Sequence, residues 1–577
     1  MHYETECQRW LSSTVLSEDE KKRVSEIMET PDTAALYFSA PMSFGTAGLR
    51  STMDMGPGCM NNYAVAHITE AISRLIEKEG QQAKKRGVAI AYDSRHHSKD
   101  FAIVSAEVLA AHGISAYLFD DIRPTPELSF AIRQLNCIAG INITASHNPK
   151  QYNGYKAYWE DGAQISPLQA SVIADMAAEI DILNGAKRTT LDQAIADGVV
   201  TMLGEDFDEL YLLAVEKTSI NRDCVKAVAD RLSIVYTPLH GAGRKLVPAI
   251  MKRMGLKHIY LVEEQMQPDG DFPTVKKPNP EYSDVFSGGI EIANRVGSDL
   301  VIATDPDADR VGVMCRGKDG QFFTVSGNQM GALLLDYVIC AAKESGHLTK
   351  DDYAVKSIVS TDLANRICEV HGVRLYDVPP CFKYIGEVIK GYEIEGKPGR
   401  FLLGFEESYG YLFGSYARDK DAVGAAMMIC EMTAWYAAKG MNLGDALVQL
   451  YQTYGYYKEG MLDVYMEGLD GIKKRKRVMD TLRGSIPVSI GGVKVAEFAD
   501  FSTGIAYDMS TNTQKPSVLK DLDVLFYTLE NGDKVIVRPS GTEPKIKMYF
   551  LCHGDCEEAL EQKIQAYTET AQAFCAD

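Results

Sequence analysis

The sequence predicts an α/β protein: three related α/β domains followed by a smaller C-terminal α+β domain. Three observations carry this. A strand, helix, strand order recurs three times along the chain. In each unit the last strand opens into a polar loop, a repetition of order more than of sequence. From about residue 456 the pattern changes to separate strand-like runs closed by one final helix.

Residues 11 to 29 read as a helix, and Phe44-Gly45-Thr46-Ala47-Gly48-Leu49-Arg50 as a small-residue loop ending in a cation. Val88 to Tyr92 is a strand ending in Asp93-Ser94-Arg95, Phe101 to Ala111 a helix stopped at Gly113, and Ser115 to Phe119 a second strand. A helix from about Glu127 to Leu135 leads into the apolar run Cys137 to Ile143, the third strand, which delivers Thr144-Ala145-Ser146-His147-Asn148-Pro149. Open α/β sheets place ligands at such carboxyl ends. Pro149 biases Asn148 toward an extended conformation, which leaves the Ser146 hydroxyl free at the sheet edge.

In the second unit Ser233 to Tyr236 is a strand ending in Thr237-Pro238-Leu239-His240-Gly241-Ala242-Gly243, followed by a helix to Met254 and a strand from His258 to Val262. After a helix ending near Val296, the strand Leu300 to Thr304 opens into Asp305-Pro306-Asp307-Ala308-Asp309-Arg310. In the third unit Ser357 to Ser360 is a strand, a helix runs to His371, and Val373 to Val378 is the next strand. Phe401 to Leu403 then opens into Gly404-Phe405-Glu406-Glu407-Ser408-Tyr409-Gly410. The fourth segment has strands at Val493 to Phe498 and Val524 to Thr528, a hairpin around Arg538-Pro539-Ser540-Gly541-Thr542-Glu543-Pro544-Lys545, and a helix from Glu557 to Phe574. The changes of unit place the domains at 1–205, 206–322, 323–455 and 456–577.

Length and composition agree with several cores. At about 150 residues per domain, 577 residues make roughly four domains. The chain has 60 basic and 79 acidic residues, a formal charge of −19, which argues against nucleic acid or an anionic membrane as the main partner. A phosphorylated ligand is repelled at long range, so any anion site must be a local basic cluster. The N-terminus lacks a basic-then-apolar secretory profile, and no apolar run approaches transmembrane length. Twelve cysteines are scattered without a C-x-x-C pair, and they read as reduced thiols of a cytoplasmic protein.

Ser146 is the candidate nucleophile, with His147 as a titratable neighbour. Alone, the pair is an ordinary solvated loop; partners elsewhere give it meaning. Asp305, Asp307 and Asp309 alternate, so their carboxylates can converge on a hard cation. An EF-hand loop is excluded because Arg310 and Arg316 stand where glycine and glutamate are needed. Three carboxylates beside Arg310 suit Mg²⁺ shared with a phosphoryl oxygen. Arg538, Ser540, Gly541 and Thr542 combine a guanidinium, two hydroxyls and a glycine, the makings of a phosphate nest. Glu406, Glu407 and Ser408 suit hydrogen bonding to vicinal sugar hydroxyls. A glycosidase reading is weaker, because adjacent carboxylates would have to point apart. Lys383, between aromatics, and Lys156, just beyond the serine loop, are further candidates, with a surface lysine as the alternative for each.

Together these loops resemble the α-D-phosphohexomutase superfamily, the four-domain phosphoglucomutases and phosphomannomutases. The resemblance covers nearly the whole chain. It implies mixed sheets and a central cleft among the phosphoserine, metal-binding, sugar-recognition and phosphate-binding domains. It implies phosphoserine at Ser146 and Mg²⁺ on Asp305, Asp307, Asp309 and the Ser146 phosphate. Glu406 and Ser408 would recognise the sugar, and Arg538, Ser540, Gly541 and Thr542 the non-reacting phosphate. Arg50 and Arg310 would lie near the reacting phosphate, with Lys156 also binding substrate and His147 and Lys383 as acid–base groups. The expected reaction interconverts glucose 1-phosphate and glucose 6-phosphate through bound glucose 1,6-bisphosphate, which also serves as primer. The glutamate loop resembles G-E-E-S-[FY]-G of glucose-type mutases with Phe405 inserted. Its extension through Ser415-Tyr416-Ala417-Arg418-Asp419-Lys420-Asp421 is similar to a branch containing phosphopentomutases. Phosphomannomutase and phosphopentomutase are therefore alternatives within the superfamily, and a sugar phosphatase and a non-catalytic sugar-phosphate sensor stand outside it. Small-molecule sugar phosphates are the expected partners.

Overall fold

A computed structural model describes residues 3–42, 48–466, 468–540 and 545–575. Phe44 to Ala47 of the loop before Arg50, and Gly541 to Pro544 of the hairpin turn, lie outside the described residues. The chain forms two compact units, one of Met1–Val325, Ile389–Glu395 and Gly410–Gly440, the other of Ser326–Val388, Gly396–Tyr409 and Met441–Asp577.

The first unit holds two mixed sheets. Strands β1 (Leu49–Thr52), β2 (Val88–Tyr92), β3 (Ala116–Phe119), β4 (Ala139–Ile143), β5 (Tyr152–Trp159) and β6 (Val200–Leu203) follow the order β1-β5-β4-β2-β3-β6. Strands β3, β4 and β6 join the parallel set around β2, while β5 runs antiparallel to β4 and β1. Every residue of β2 and β4 is buried, as expected of strands covered on both faces. Helix Asn62–Lys78 covers this sheet through Val65, Ile68, Ile72 and Ile76, spaced three or four apart on one face.

The second sheet has β7 (Ser233–Thr237), β8 (His258–Leu261), β9 (Leu300–Thr304), β10 (Val311–Arg316) and β11 (Phe322–Val325) in the order β11-β10-β9-β7-β8. Its β7 is parallel to β8 and β9, and β10 returns antiparallel beside β9. The tight β9–β10 connection is therefore the aspartate loop. It rests on the loop after β7, where a Cβ on Gly241 would lie 2.4 Å from the Pro306 Cα.

In the second unit β12 (Tyr353–Ser357), β13 (Arg374–Val378) and β14 (Phe401–Glu406) run parallel in the order β13-β12-β14. Strand β15 (Gly410–Leu412) belongs to the first unit. The C-terminal part is an antiparallel sheet of β16 (Tyr456–Tyr465), β17 (Ser489–Ile490), β18 (Val493–Asp500), β19 (Ile505–Asp508), β20 (Thr513–Pro516), β21 (Leu525–Leu529), β22 (Lys534–Pro539) and β23 (Lys545–Gly554). Helix Glu557–Phe574 packs on it, so the predicted class of three α/β domains and a smaller C-terminal domain holds.

Three expected elements are corrected. Residues 11 to 29 are not one helix: helix Tyr3–Leu11 ends, and Ser17 starts a new one over Glu18–Met28 through a capping box with Glu20. The strand expected at Ser357 to Ser360 is the run Tyr353–Ser357, because the Ser360 amide donates back to the Ser357 carbonyl and closes a turn. The strand from Phe401 continues three residues past Leu403, so Glu406 ends a strand and the turn begins at Glu407.

Candidate active site

Ser146 lies in the turn after β4 with φ of +51°, a left-handed conformation that costs a non-glycine residue about 1–2 kcal/mol. The surroundings hold it there. Its amide donates to Thr144 Oγ1 at 2.8 Å, and the Thr144 hydroxyl donates to Asp93 at 2.7 Å. Buried Arg95 threads the loop's inner side, donating to the carbonyls of Ser146, Asn148 (2.6 Å), Pro149 (3.0 Å) and Tyr152 (3.0 Å). The Asp93-Ser94-Arg95 segment is thus the brace of the serine loop, a role its position at the end of β2 signals but its residue types do not.

The Ser146 hydroxyl donates to Asp305 Oδ2 at 2.6 Å and lies 3.3 Å from His147 Nδ1. The aspartate loop folds around Asp305 Oδ1, which accepts the amides of Asp309 (3.1 Å) and Arg310 (3.0 Å). One carboxylate oxygen from each of Asp305, Asp307 and Asp309 lies within 4.8 Å of the others, and all three residues are buried. Lys156, brought in by β5, lies 2.7 Å from Asp307 and 3.3 Å from Asp309. The Thr125 hydroxyl donates to Asp307 at 2.8 Å, and Lys420 reaches Asp309 at 3.2 Å. Arg50 donates to Asn148 at 3.1 Å from β1, and Arg310 pairs with Glu281 at 2.6 Å.

Electrostatics divide the three aspartates. Burial, with Asp307 and Asp309 alongside, pushes the Asp305 carboxyl well above its usual range. Burial works the same way on Asp307 and Asp309, but Lys156 overcomes it at the first, and Lys420, Lys156 and Arg310 at the second, so both are held below it. Burial, reinforced by Arg310 and Arg50, keeps His147 neutral, well below the usual imidazole value. Asp307 Oδ1 and Asp309 Oδ1 are buried and accept no hydrogen bond among the described residues. Two orphaned carboxylate oxygens beside Asp305 are the donor set a hard divalent cation needs, so the cluster fits a metal.

The first unit therefore gathers Ser146, His147, Arg50, Lys156, Arg310 and the three aspartates. Lys420, which lies in the Arg418-Asp419-Lys420-Asp421 run, joins them through a contact that nothing in its own neighbourhood announces. The other candidates belong to the second unit. Lys383 is buried at the start of helix Lys383–Glu395, its Nζ 5.5 Å from the Tyr384 ring centroid. Glu406 is buried, and the Glu407 amide donates to the Ser360 hydroxyl at 3.0 Å. A Cβ on Gly327 would lie 1.9 Å from the Glu407 carbonyl oxygen, so only glycine lets that helix start so close. Arg538 stands on β22 opposite Lys547 of β23, and the Ser540 amide donates to the Lys545 carbonyl at 2.9 Å. Burial and the Glu407 carboxylate, opposed by Arg538, push the Tyr549 phenol upward, so one ring senses both the glutamate turn and the arginine hairpin. Gly541 and Thr542 lie outside the described residues.

Fold and site define an α/β enzyme in which a strained serine is held against a cation-competent acidic loop. The family described as phosphoglucomutase/phosphomannomutase matches through its alpha/beta/alpha domains I, II and III at residues 41–183, 209–319 and 326–454. A phosphoglucomutase of Staphylococcus epidermidis is 36% identical over 527 residues, 91% of this chain and 93% of that protein. One from Staphylococcus aureus is 35% identical over 544 residues, 92% and 93% of the two chains. Among solved structures, pp63/parafusin (phosphoglucomutase) from Paramecium aligns with a TM-score of 0.66 at 18% identity, covering 92% and 94%. A putative phosphomannomutase from Thermus thermophilus aligns at 0.65 and 22% identity, covering 92% and 99%. The chain belongs to the phosphoglucomutase/phosphomannomutase family. It is an enzyme, most like the phosphoglucomutases.

Proposed function

We propose that this enzyme interconverts α-D-glucose 1-phosphate and glucose 6-phosphate in the cytoplasm, through a phosphoserine at Ser146 and a bound glucose 1,6-bisphosphate. The observation that carries the reading is the Ser146 hydroxyl in its left-handed turn, 2.6 Å from Asp305 in the acidic loop. The near-full-length phosphoglucomutase relatives support glucose over mannose or a pentose. Among the described residues no helix is long and apolar enough to cross a membrane.

Asp305, Asp307 and Asp309 would hold Mg²⁺, which when bound offsets the negative charge of the phosphoryl oxygens. The phosphoryl group passes from Ser146 Oγ to the free hydroxyl of a sugar monophosphate; the serine O–P bond breaks as the sugar O–P bond forms. His147, neutral and beside Ser146, and Lys383 are the groups assigned to the sugar hydroxyl's proton. The bisphosphate then turns, and its other phosphoryl group returns to Ser146. Arg50 and Arg310 grip the moving phosphoryl group, and Lys156, seated beside Asp307 and Asp309, binds substrate. Glu406 and Ser408 bind sugar hydroxyls, and Arg538, Ser540, Gly541 and Thr542 bind the phosphate that is not reacting. Uncatalysed phosphate-monoester cleavage leaves a gap of up to ~10²¹-fold, so cation, arginines and in-line positioning must act together.

Coupled assays with glucose 1-phosphate, mannose 1-phosphate and ribose 1-phosphate, with and without a bisphosphate primer, test the reading. Glucose 1-phosphate should give the highest kcat/KM, with primer required once Ser146 is dephosphorylated. Preference for another sugar refutes the substrate, and inorganic phosphate released at the turnover rate makes the enzyme a phosphatase.

A further inference from the structure

The second unit carries another cluster of metal-competent side chains, unrelated to the sugar-phosphate reading. Asp336 and Cys340 are four residues apart on helix Gly327–Glu344 and so share a face. His371 is the last residue of helix Leu363–His371, and Tyr454 the last of helix Leu443–Tyr454. Cys340 Sγ lies 3.8 Å from Asp336 Oδ1 and His371 Nε2 lies 3.9 Å from the same oxygen. One ligand atom from each of the three residues lies within 4.8 Å of the others. The Tyr454 hydroxyl closes the fourth side, 2.6 Å from Asp336 Oδ1 and 2.8 Å from His371 Nε2.

Of these spacings, the 3.8 Å one is a weak thiol donation to Asp336, and the 3.9 Å one is too long for a direct hydrogen bond and is spanned by the Tyr454 hydroxyl. They are close to the edges of a metal tetrahedron: ligands about 2.0–2.3 Å from zinc stand roughly 3.3–3.8 Å from each other. A thiol, an imidazole and a carboxylate form a mixed set that suits a borderline divalent ion and is too soft for Mg²⁺. Cys340 is in no disulfide and is half-buried, so its sulfur is available to an ion.

We propose that Asp336, Cys340 and His371 form a structural site for a borderline divalent cation, Zn²⁺ foremost, with the Tyr454 hydroxyl on its fourth side. Ligation replaces the Cys340 thiol proton, which leaves to solvent, and moves the imidazole proton to Nδ1, which has no hydrogen-bond partner among the described residues. Bound, the ion ties the C-terminal half of helix Gly327–Glu344 to the end of helix Leu363–His371, beside the end of helix Leu443–Tyr454. The first of these begins against the Glu407 backbone, so the ion stiffens the element that backs the glutamate turn.

Cobalt reports the thiolate directly. Co²⁺ added to the reduced, metal-stripped full chain should give a near-ultraviolet thiolate charge-transfer band that saturates at one equivalent and is bleached by Zn²⁺. The band should be lost in Cys340→Ser and in His371→Gln and kept in Asp305→Asn, which separates it from the all-oxygen cluster. On the unaltered chain, Zn²⁺ should suppress alkylation of Cys340, read by peptide mass, and leave exposed Cys556 equally reactive. A missing band, a band that survives Cys340→Ser, or Cys340 alkylation unaffected by Zn²⁺ overturns the site.

Discussion

Lys156 Nζ lies 2.7 Å from Asp307 Oδ2, and its side chain is only 1% exposed. A buried ammonium is therefore seated on the carboxylates that would hold a divalent cation. Opposite charges about 4 Å apart interact by about 4 kcal/mol at an effective dielectric of 20, so the lysine and the ion compete. Lys156→Met should bind Mg²⁺ more tightly by about tenfold, some 1.4 kcal/mol, in titration calorimetry, while KM for the sugar phosphate rises. Unchanged Mg²⁺ affinity would take Lys156 out of the cation's surroundings.

How much of this was legible in the sequence follows from how far apart the partners are. Asp305, Asp307 and Asp309 announce themselves because ligands two residues apart share a short loop, and Ser146 because an apolar strand points to it. Lys156 joins the aspartates across 151 positions, and Lys420 reaches Asp309 from a different region again. No local pattern encodes such contacts. Strand β5 escapes periodicity for the same reason: it buries Asn153 and Lys156 among Tyr155, Ala157 and Tyr158, polar residues kept inside by partners elsewhere in the chain. Arg95 is hidden as an ordinary strand-end cation until the fold brings four carbonyls around it.

The left-handed φ of Ser146 separates stability from activity. Ser146→Ala and Ser146→Gly both remove the phosphoryl carrier and should abolish turnover, and intact-mass analysis should find the phosphate only on the unaltered chain. Glycine adopts that conformation without the Cβ penalty, so Ser146→Gly should be more stable than Ser146→Ala by about 1 kcal/mol in denaturant unfolding. Equal stability of the two would mean that the turn relaxes once the serine hydroxyl is gone.

Arg538 belongs to binding more than to chemistry. It stands on β22, two residues before Ser540, with Lys547 opposite it on β23. A charge-assisted hydrogen bond to phosphate contributes about 1.5–3 kcal/mol. Arg538→Gln should raise KM about 10- to 100-fold and leave kcat within a few-fold, because the same contact serves ground state and transition state. A fall in kcat at constant KM would place Arg538 with the reacting phosphate instead.

Glu459 sets a pH dependence of stability. It lies on β16, and burial pushes its carboxyl up to about 7, with Asp362 adding to the rise while Thr361 and Lys356 oppose it. An acid whose folded value exceeds its unfolded value binds more protons when folded. Its ionisation therefore disfavours the folded state, so stability should fall as pH rises from the usual carboxyl range, near 4.5, toward about 7, and level off above that. Glu459→Gln mimics the neutral acid and should flatten this part of the profile, with its largest gain over the unaltered chain above pH 7. Denaturant midpoints measured from pH 5 to pH 8 decide it, since a profile of the same slope in both proteins would assign the loss of stability to other groups.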